Sequence, residues 1–353
     1  MSLVVKVPSQ KIVSPFKTLK NLLENLDLQS RFKNGMIVAV KLHMGERGNR
    51  THVHPSYISS LVRILKDLGC EPFITDTTTL YPGARSTALG YLKVAAENGF
   101  TQATVNAPVI IADGMYGKDG VKIPFKGIKT DETLVGKAFF DVDGFVVVSH
   151  GKGHGLAGFG GALKNVAMGF ATKKFKKFMH QTVKPSLLYP EKCTGCGWCV
   201  KNCGFNAITM VSGKPQIDYE KCTGCGGCFR CPTGALGAAE NVFEEFNVRL
   251  GESAAAILES FQGKPFLFIN VVEKITRYCD CVSNAGEFLA EDVGVYASYD
   301  PVAIDAASIQ DVEKVLFKAK TLKEVHDVDP WIHLKAAAQA GVGTLQYKLK
   351  TIE

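Results

Sequence analysis

Eight of the chain's eleven cysteines lie between Cys193 and Cys231. Cys193, Cys196, Cys199 and Cys203 follow C-x2-C-x2-C-x3-C, and Cys222, Cys225, Cys228 and Cys231 follow C-x2-C-x2-C-x2-C ahead of Pro232. Two-residue gaps wrap a backbone around one centre, so that three thiolates of each motif reach three irons of a cubane while the distant fourth ligates the other cluster. The spacing predicts two [4Fe-4S] clusters, one on Cys193, Cys196, Cys199 and Cys231, the other on Cys222, Cys225, Cys228 and Cys203. Gly195, Gly197, Gly224, Gly226 and Gly227 let the chain pass close to inorganic sulfide. Structural zinc is the alternative, but its usual signature is two cysteine pairs parted by a longer spacer. Two details depart from the bacterial-ferredoxin pattern: the last gap of the second motif is one residue short, and Cys203 is followed by Gly204 instead of proline.

A cluster carrier of that kind needs only a fraction of 353 residues, so most of the chain builds something else. The longest apolar runs, Phe145–Val148 and Pro265–Val272, fall far short of the roughly 18 residues of a membrane span. Met1–Lys6 lacks a basic leader with an apolar core, so no secretory signal is expected. Ligand cysteines require a reducing compartment, which points to the cytoplasm. The net charge of +7 comes without an aromatic-interleaved basic stripe, so nucleic acid is not an expected partner. Lys173, Lys174, Lys176 and Lys177 form one basic cluster, read either as a solvated face or as a docking patch for an acidic electron carrier or anionic substrate.

Around the cysteines, β-rich apolar runs alternate with helix-period segments, which predicts an α/β fold with a mostly parallel sheet flanked by helices. Strands are expected at Met36–Leu42, Cys70–Asp76, Pro108–Ala112, Phe145–Ser149, Pro265–Glu273 and Val293–Ser298. Helices are expected at Pro55–Leu68, Arg85–Asn98, Ala162–Phe170, Glu240–Gln262 and Ala303–Phe317, with Asp300-Pro301 as an N-cap and first-turn proline. The cysteine segment interrupts this rhythm, which then resumes. The expected organisation is therefore an α/β domain from 1–185 and 239–353 with a small α+β ferredoxin-like domain inserted at 186–238.

Ligands of open α/β sheets bind beyond the carboxyl ends of the strands. Lys41, His43, Glu46, His52 and His54 follow the first predicted strand, and Asp76, Tyr81 and Arg85 follow the second. His150, Lys152, His154, Lys164 and Asn165 follow the strand at Phe145. The five histidines among these are expected to converge, and imidazoles so placed serve as acid/base groups or ligands. His43, Asp76, His150, His154 and Lys164 are the candidate catalytic residues. The glycines of 151–161 let backbone amides approach an anion at the start of the next helix, with Lys152 or Lys164 adding charge. Cys279 and Cys281 put two sulfurs on one face of extended chain and are a candidate site for an additional metal ion or for redox chemistry.

These stretches together resemble one family: the iron–sulfur centre proteins containing domain of unknown function 362. The resemblance rests on Lys41-Leu42-His43-Met44-Gly45-Glu46, Thr75-Asp76-Thr77, Tyr81–Arg85, Ser149–Gly169, Cys279-Asp280-Cys281, Asp292–Val295 and Asp300–Asp305. It implies the inserted-ferredoxin architecture and a cytoplasmic redox role, and it names no substrate. The leading expectation is an iron–sulfur oxidoreductase or electron-transfer protein, supplied by a ferredoxin- or flavodoxin-class partner or acting on a small molecule. Its alternatives are a non-redox metal- or anion-binding enzyme, or a sensor protein, with structural clusters.

Overall fold

The computed structural model describes residues 1–238 and 241–352. Glu240, the first residue of one predicted helix, and Ala239, a predicted domain boundary, lie outside them. Eight strands form the central sheet: β1 (Ser2–Pro8), β2 (Ile37–Leu42), β3 (Glu71–Asp76), β4 (Val109–Ile111), β5 (Gly144–His150), β6 (Phe266–Val272), β7 (Gly294–Ser298) and β8 (Tyr347–Thr351). Their order across the sheet is β8-β1-β7-β6-β5-β2-β3-β4. β6, β5, β2, β3 and β4 run parallel, β7 is antiparallel to both its neighbours, and β8 pairs parallel with β1 at the far edge.

Side chains alternate across a pleated strand, and here both faces are buried. Val38, Val40, Val146, Val148, Leu267 and Ile269 enter one core, while Ala39, Phe145, Val147 and Phe268 enter the other. The first core is covered by α1 (Pro15–Glu24), α2 (Pro55–Asp67) and α3 (Ala88–Glu97). α2 starts with Pro55 in its first turn and buries Tyr57, Ile58, Leu61, Val62 and Leu65 on one face. Each of its buried aliphatic side chains contributes about 1.5–3 kcal/mol of burial free energy. The second core is covered by α4 (Ala162–Gly169), α5 (Lys173–His180), α6 (Val242–Glu259), α7 (Pro301–Lys314) and α8 (Trp331–Gln339). Asp300 caps α7, its Oδ1 accepting from the amides of Val302 and Ala303 at 2.9 Å each.

The expected ferredoxin-like insert is corrected. Between Pro185 and Ala238 the chain forms two two-stranded ribbons, Pro185–Leu187 with Leu236–Ala238 and Ile208–Val211 with Lys214–Ile217, plus single helical turns at Trp198–Lys201 and Gly227–Arg230. Its own buried cluster is only Cys199, Ile208, Cys228 and Leu236, and Phe229 packs against both this cluster and the main core. So small a core is shared with the α/β body, and no distinct small domain is identifiable. Among the described residues no helix is long and apolar enough to cross a membrane.

Candidate functional site

Beyond the carboxyl ends of β2, β3 and β5 lies a cleft of ≈ 840 Å³, walled on the other side by Trp198, Phe205, Gly226, Gly227, Phe229 and Arg230 of the cysteine-rich segment. Sequence-predicted His43, Asp76, His150, His154, Lys164, Cys279 and Cys281 all line it. Sheet topology explains the gathering, because parallel strands deliver their following loops to the same edge.

On the floor, Lys41 on β2 pairs with Asp76 at the end of β3, Nζ to Oδ1 at 3.0 Å, and also donates to Asn165 Oδ1. Tyr91 Oη donates to Asp76 Oδ2. This buried pair has room because α4 presents Gly169 to it: a Cβ there would fall 1.8 Å from Lys41 Nζ. Burial lowers the Lys41 amine, with Asp76 opposing. Next to it, buried Arg85 donates to Glu46 Oε2 at 3.0 Å, to Tyr81 Oη at 2.5 Å and toward His43 Nε2 at 2.7 Å. Gly45 N meets His43 Nδ1 at 3.1 Å. His43 therefore meets an N–H at each nitrogen, of which a neutral ring can accept from only one, and burial followed by the Arg85 charge holds its pKa well below the usual value, so the ring stays neutral.

The wall opposite is built around Asp280. His150 Nδ1 reaches its Oδ2 at 2.6 Å, and Lys152 Nζ donates to its Oδ1 at 2.6 Å. Lys152 also donates to Thr276 Oγ1 at 2.9 Å and Thr51 Oγ1 at 3.1 Å, while His150 Nε2 lies 2.6 Å from the Glu273 carbonyl. Burial alone raises the Asp280 carboxyl, but His150 and Lys152 bring it well below the usual carboxylate range. Lys152 is thereby committed to a structural ion pair and is no anion anchor.

Lys164, on the first turn of α4, differs. Among the described residues its amine has no hydrogen-bond or ion-pair partner, and it opens into the cleft. Burial, with the Lys41 charge adding to it, brings its pKa down to about 8. The anion-binding role expected of the α4 amides is corrected: buried Asp305 of α7 already accepts from Ala162 N at 2.7 Å and Leu163 N at 2.9 Å. The chain supplies its own carboxylate at that helix start.

Cys279 and Cys281 flank Asp280 and are joined as a disulfide. His154 stands beside them, and the three side chains offer ligand atoms all within 4.8 Å of one another. The donor set fits a thiophilic cation through the sulfurs once they are reduced. His154 accepts from the amides of Leu156 at 3.2 Å and Ala157 at 3.1 Å through Nδ1, which leaves the proton of the neutral ring on Nε2. His154 fits as a ligand through Nε2 only on losing that proton; otherwise it is a donor to an anion.

The expectation of two [4Fe-4S] clusters is corrected by the same geometry. Among the described residues, the group of three or more metal-competent side chains with closely convergent ligand atoms is His154, Cys279 and Cys281, and it draws on none of Cys193, Cys196, Cys199, Cys203, Cys222, Cys225, Cys228 or Cys231. Those eight are free thiols. Burial raises Cys199, Cys222 and Cys225 and pushes Cys228 up to about 12, whereas at Cys231 burial is outweighed by hydrogen bonds from Thr233 and the amides around it, which bring the thiol down to about 7. The iron–sulfur, electron-transfer and oxidoreductase readings built on them are withdrawn with them.

Two of the five expected histidines also lie elsewhere. His54 is exposed and caps α2, accepting from Ser56 N at 3.2 Å, and His52 packs against Phe100 with the rings tilted 55° and their centroids 5.6 Å apart. Their places in the cleft lining are taken by His180 and His326, which sequence reasoning missed. Lys176, expected on a solvated face or docking patch, is buried, donates to Thr77 Oγ1 at 2.7 Å and is lowered by burial to about 8.

A family model for a domain of unknown function, DUF362, matches residues 38–310, spanning the floor, the wall and the cysteine-rich segment alike. The chain belongs to the DUF362 family. No curated protein matches it. Solved structures similar to this DUF362 protein include a structural-genomics protein from Thermotoga maritima at 11% identity and TM-score 0.45, covering 89% of this chain and 59% of that one. Another is the lactate racemase apoprotein from Thermoanaerobacterium thermosaccharolyticum, at 12% identity and TM-score 0.35, covering 71% of this chain and 58% of that one. The chain thus spans under two thirds of the length of either.

Proposed function

We propose that this DUF362 protein is a metal- and anion-binding enzyme, not dependent on redox catalysis, that acts on a small anionic molecule. The observation that carries this reading is Lys164: a cationic amine without a protein partner, opening into the same cleft as a sulfur pair that suits a soft cation. Lys164 anchors the anion. His154 presents its Nε2 proton to the bound molecule, and His43, kept neutral with N–H donors at both ring nitrogens, positions the Arg85 guanidinium at the floor of the cleft. Asp76 fixes Lys41, and His150 fixes Asp280 and with it the position of the cysteine pair. A divalent cation on Cys279 and Cys281 would supply Lewis-acid polarisation of a substrate oxygen. The segment 186–238 is the cover of this cleft, and a reducing compartment such as the cytoplasm belongs to the same proposal.

Calorimetric titration with small carboxylates and inorganic phosphate tests it. Lys164→Met is expected to weaken anion binding about ten- to hundredfold, the worth of one hydrogen bond to a charged group, and Lys164→Arg to restore part of it. Equal affinity in the parent and Lys164→Met would refute the assignment.

A further inference from the structure

We propose that Cys279 and Cys281 form a thiol–disulfide gate: bonded to each other they take no metal, and reduced they open the site to a thiophilic divalent cation. The inference rests on the metal-binding reading above. Two observations meet at the same atoms. The sulfurs are covalently joined, and they also supply two of the three closely convergent ligand atoms with His154. A disulfide sulfur has no thiolate to give, so the two states exclude each other.

The surrounding backbone serves both states. Asp280 is held by His150, Lys152 and Thr51 through its carboxylate, and its carbonyl accepts from Glu46 N at 2.9 Å. The Cys281 carbonyl accepts from Tyr81 Oη at 3.0 Å. The residue between the sulfurs is therefore pinned independently of what the sulfurs bind. Stabilisation is a weak reason for the bond, because so short a loop lies at the low end of what loop closure contributes. Both cysteines line the cleft, which gives a small reductant access.

The chemistry balances with small monothiols as reductant. One RS⁻ attacks a protein sulfur to give a mixed disulfide, and a second releases RSSR; two electrons pass to the pair, which takes up two protons. A divalent cation then displaces both thiol protons to solvent. Excess RSSR reverses the exchange.

The test uses the full chain and its Cys279→Ser/Cys281→Ser variant, each equilibrated with oxidised or reduced glutathione and titrated with Cd²⁺. Thiolate-to-cadmium charge-transfer absorbance reads the metal, and alkylation with peptide mass analysis reads the state of residues 279–281. The remaining cysteines are common to both proteins, so their cadmium cancels in the difference. The expected result is an additional equivalent of Cd²⁺ on the reduced parent relative to the reduced variant, lost when the pair is oxidised. The same extra equivalent on a demonstrably oxidised pair, or a pair that stays dithiol at every glutathione ratio, overturns the gate and leaves the metal site standing. No extra cadmium on the reduced parent removes the metal site and the gate together.

Discussion

Two lysines twelve residues apart in sequence, Lys152 buried and Lys164 half-buried, share one cleft and have opposite fates. Lys152 sits in a corner where the charges are answered from within: Asp280 takes its proton donors and those of His150, and two threonine hydroxyls complete the shell. Lys164 sits where no protein group among the described residues hydrogen-bonds or pairs with it, and Asp280 and Asp76 attract it only from a distance. A closed corner holds geometry, and an open one retains charge for something arriving from outside. Burial costs both amines solvation, but Lys152 is offset by a hydrogen-bonded carboxylate, whereas Lys164 has only the more distant attraction of Asp280 and Asp76.

The contrast can be broken first at Asp280. Asp280→Ala leaves Lys152 without its counter-charge and His150 Nδ1 without its hydrogen-bond partner and is expected to destabilise the protein by about 3–5 kcal/mol, read by urea unfolding; a loss below about 1 kcal/mol would show that the corner is not closed. Asp305→Ala strips the acceptor from the Ala162 and Leu163 amides and from Asn270, whose Nδ2 donates to it at 2.8 Å. A cost of about 2–3 kcal/mol is expected from the same measurement.

Lys164→Met is expected to do the reverse, leaving stability near neutral pH unchanged or raised while anion binding falls. Its amine titrates near 8 in the fold against an ordinary 10.5. Between those values the unfolded chain holds more protons than the folded one, so stability from this group rises with pH across that window. Unfolding measured across the window should therefore rise less steeply in Lys164→Met, and anion affinity of the parent should fall as pH passes about 8. The smallest effect is expected of Cys279→Ser/Cys281→Ser, about 1–2 kcal/mol at most; thermal unfolding showing a much larger loss would make the disulfide a structural brace.

The parallel half of the sheet was legible because its strands are buried on both faces and read as continuous Val, Ile and Phe runs. β1 and β8 were missed: Tyr347–Thr351 is a largely exposed edge strand with Lys348 and Lys350, and its partner Ser2–Pro8 buries only Val4, Val5 and Val7, too short an apolar signal with Lys6 between them. The helix expected from Arg85 starts at Ala88, because Arg85 turns into the cleft and Thr87 caps the helix, accepting from Gly90 N at 3.2 Å. In the cleft, strand-end logic found Asp76, His150 and Lys164. Lys176 was hidden by the charge run around it, although its spacing to Met179 marked the buried side of α5. The loudest motif misled: thiol spacing along the chain does not report which sulfurs end within reach of a third ligand, and the cysteine pair that does is separated by a single residue.

Asp305 has one more consequence. Where a helix start is left bare, main-chain dipoles can grip a phosphate, and no substitution of a side chain abolishes that grip. Here the slot is filled from inside the molecule, so under the proposed function recognition of an incoming anion falls to the Lys164 amine. A single codon change can retune, relocate or delete that amine, which leaves ligand preference in this scaffold free to drift while the core beneath it stays fixed.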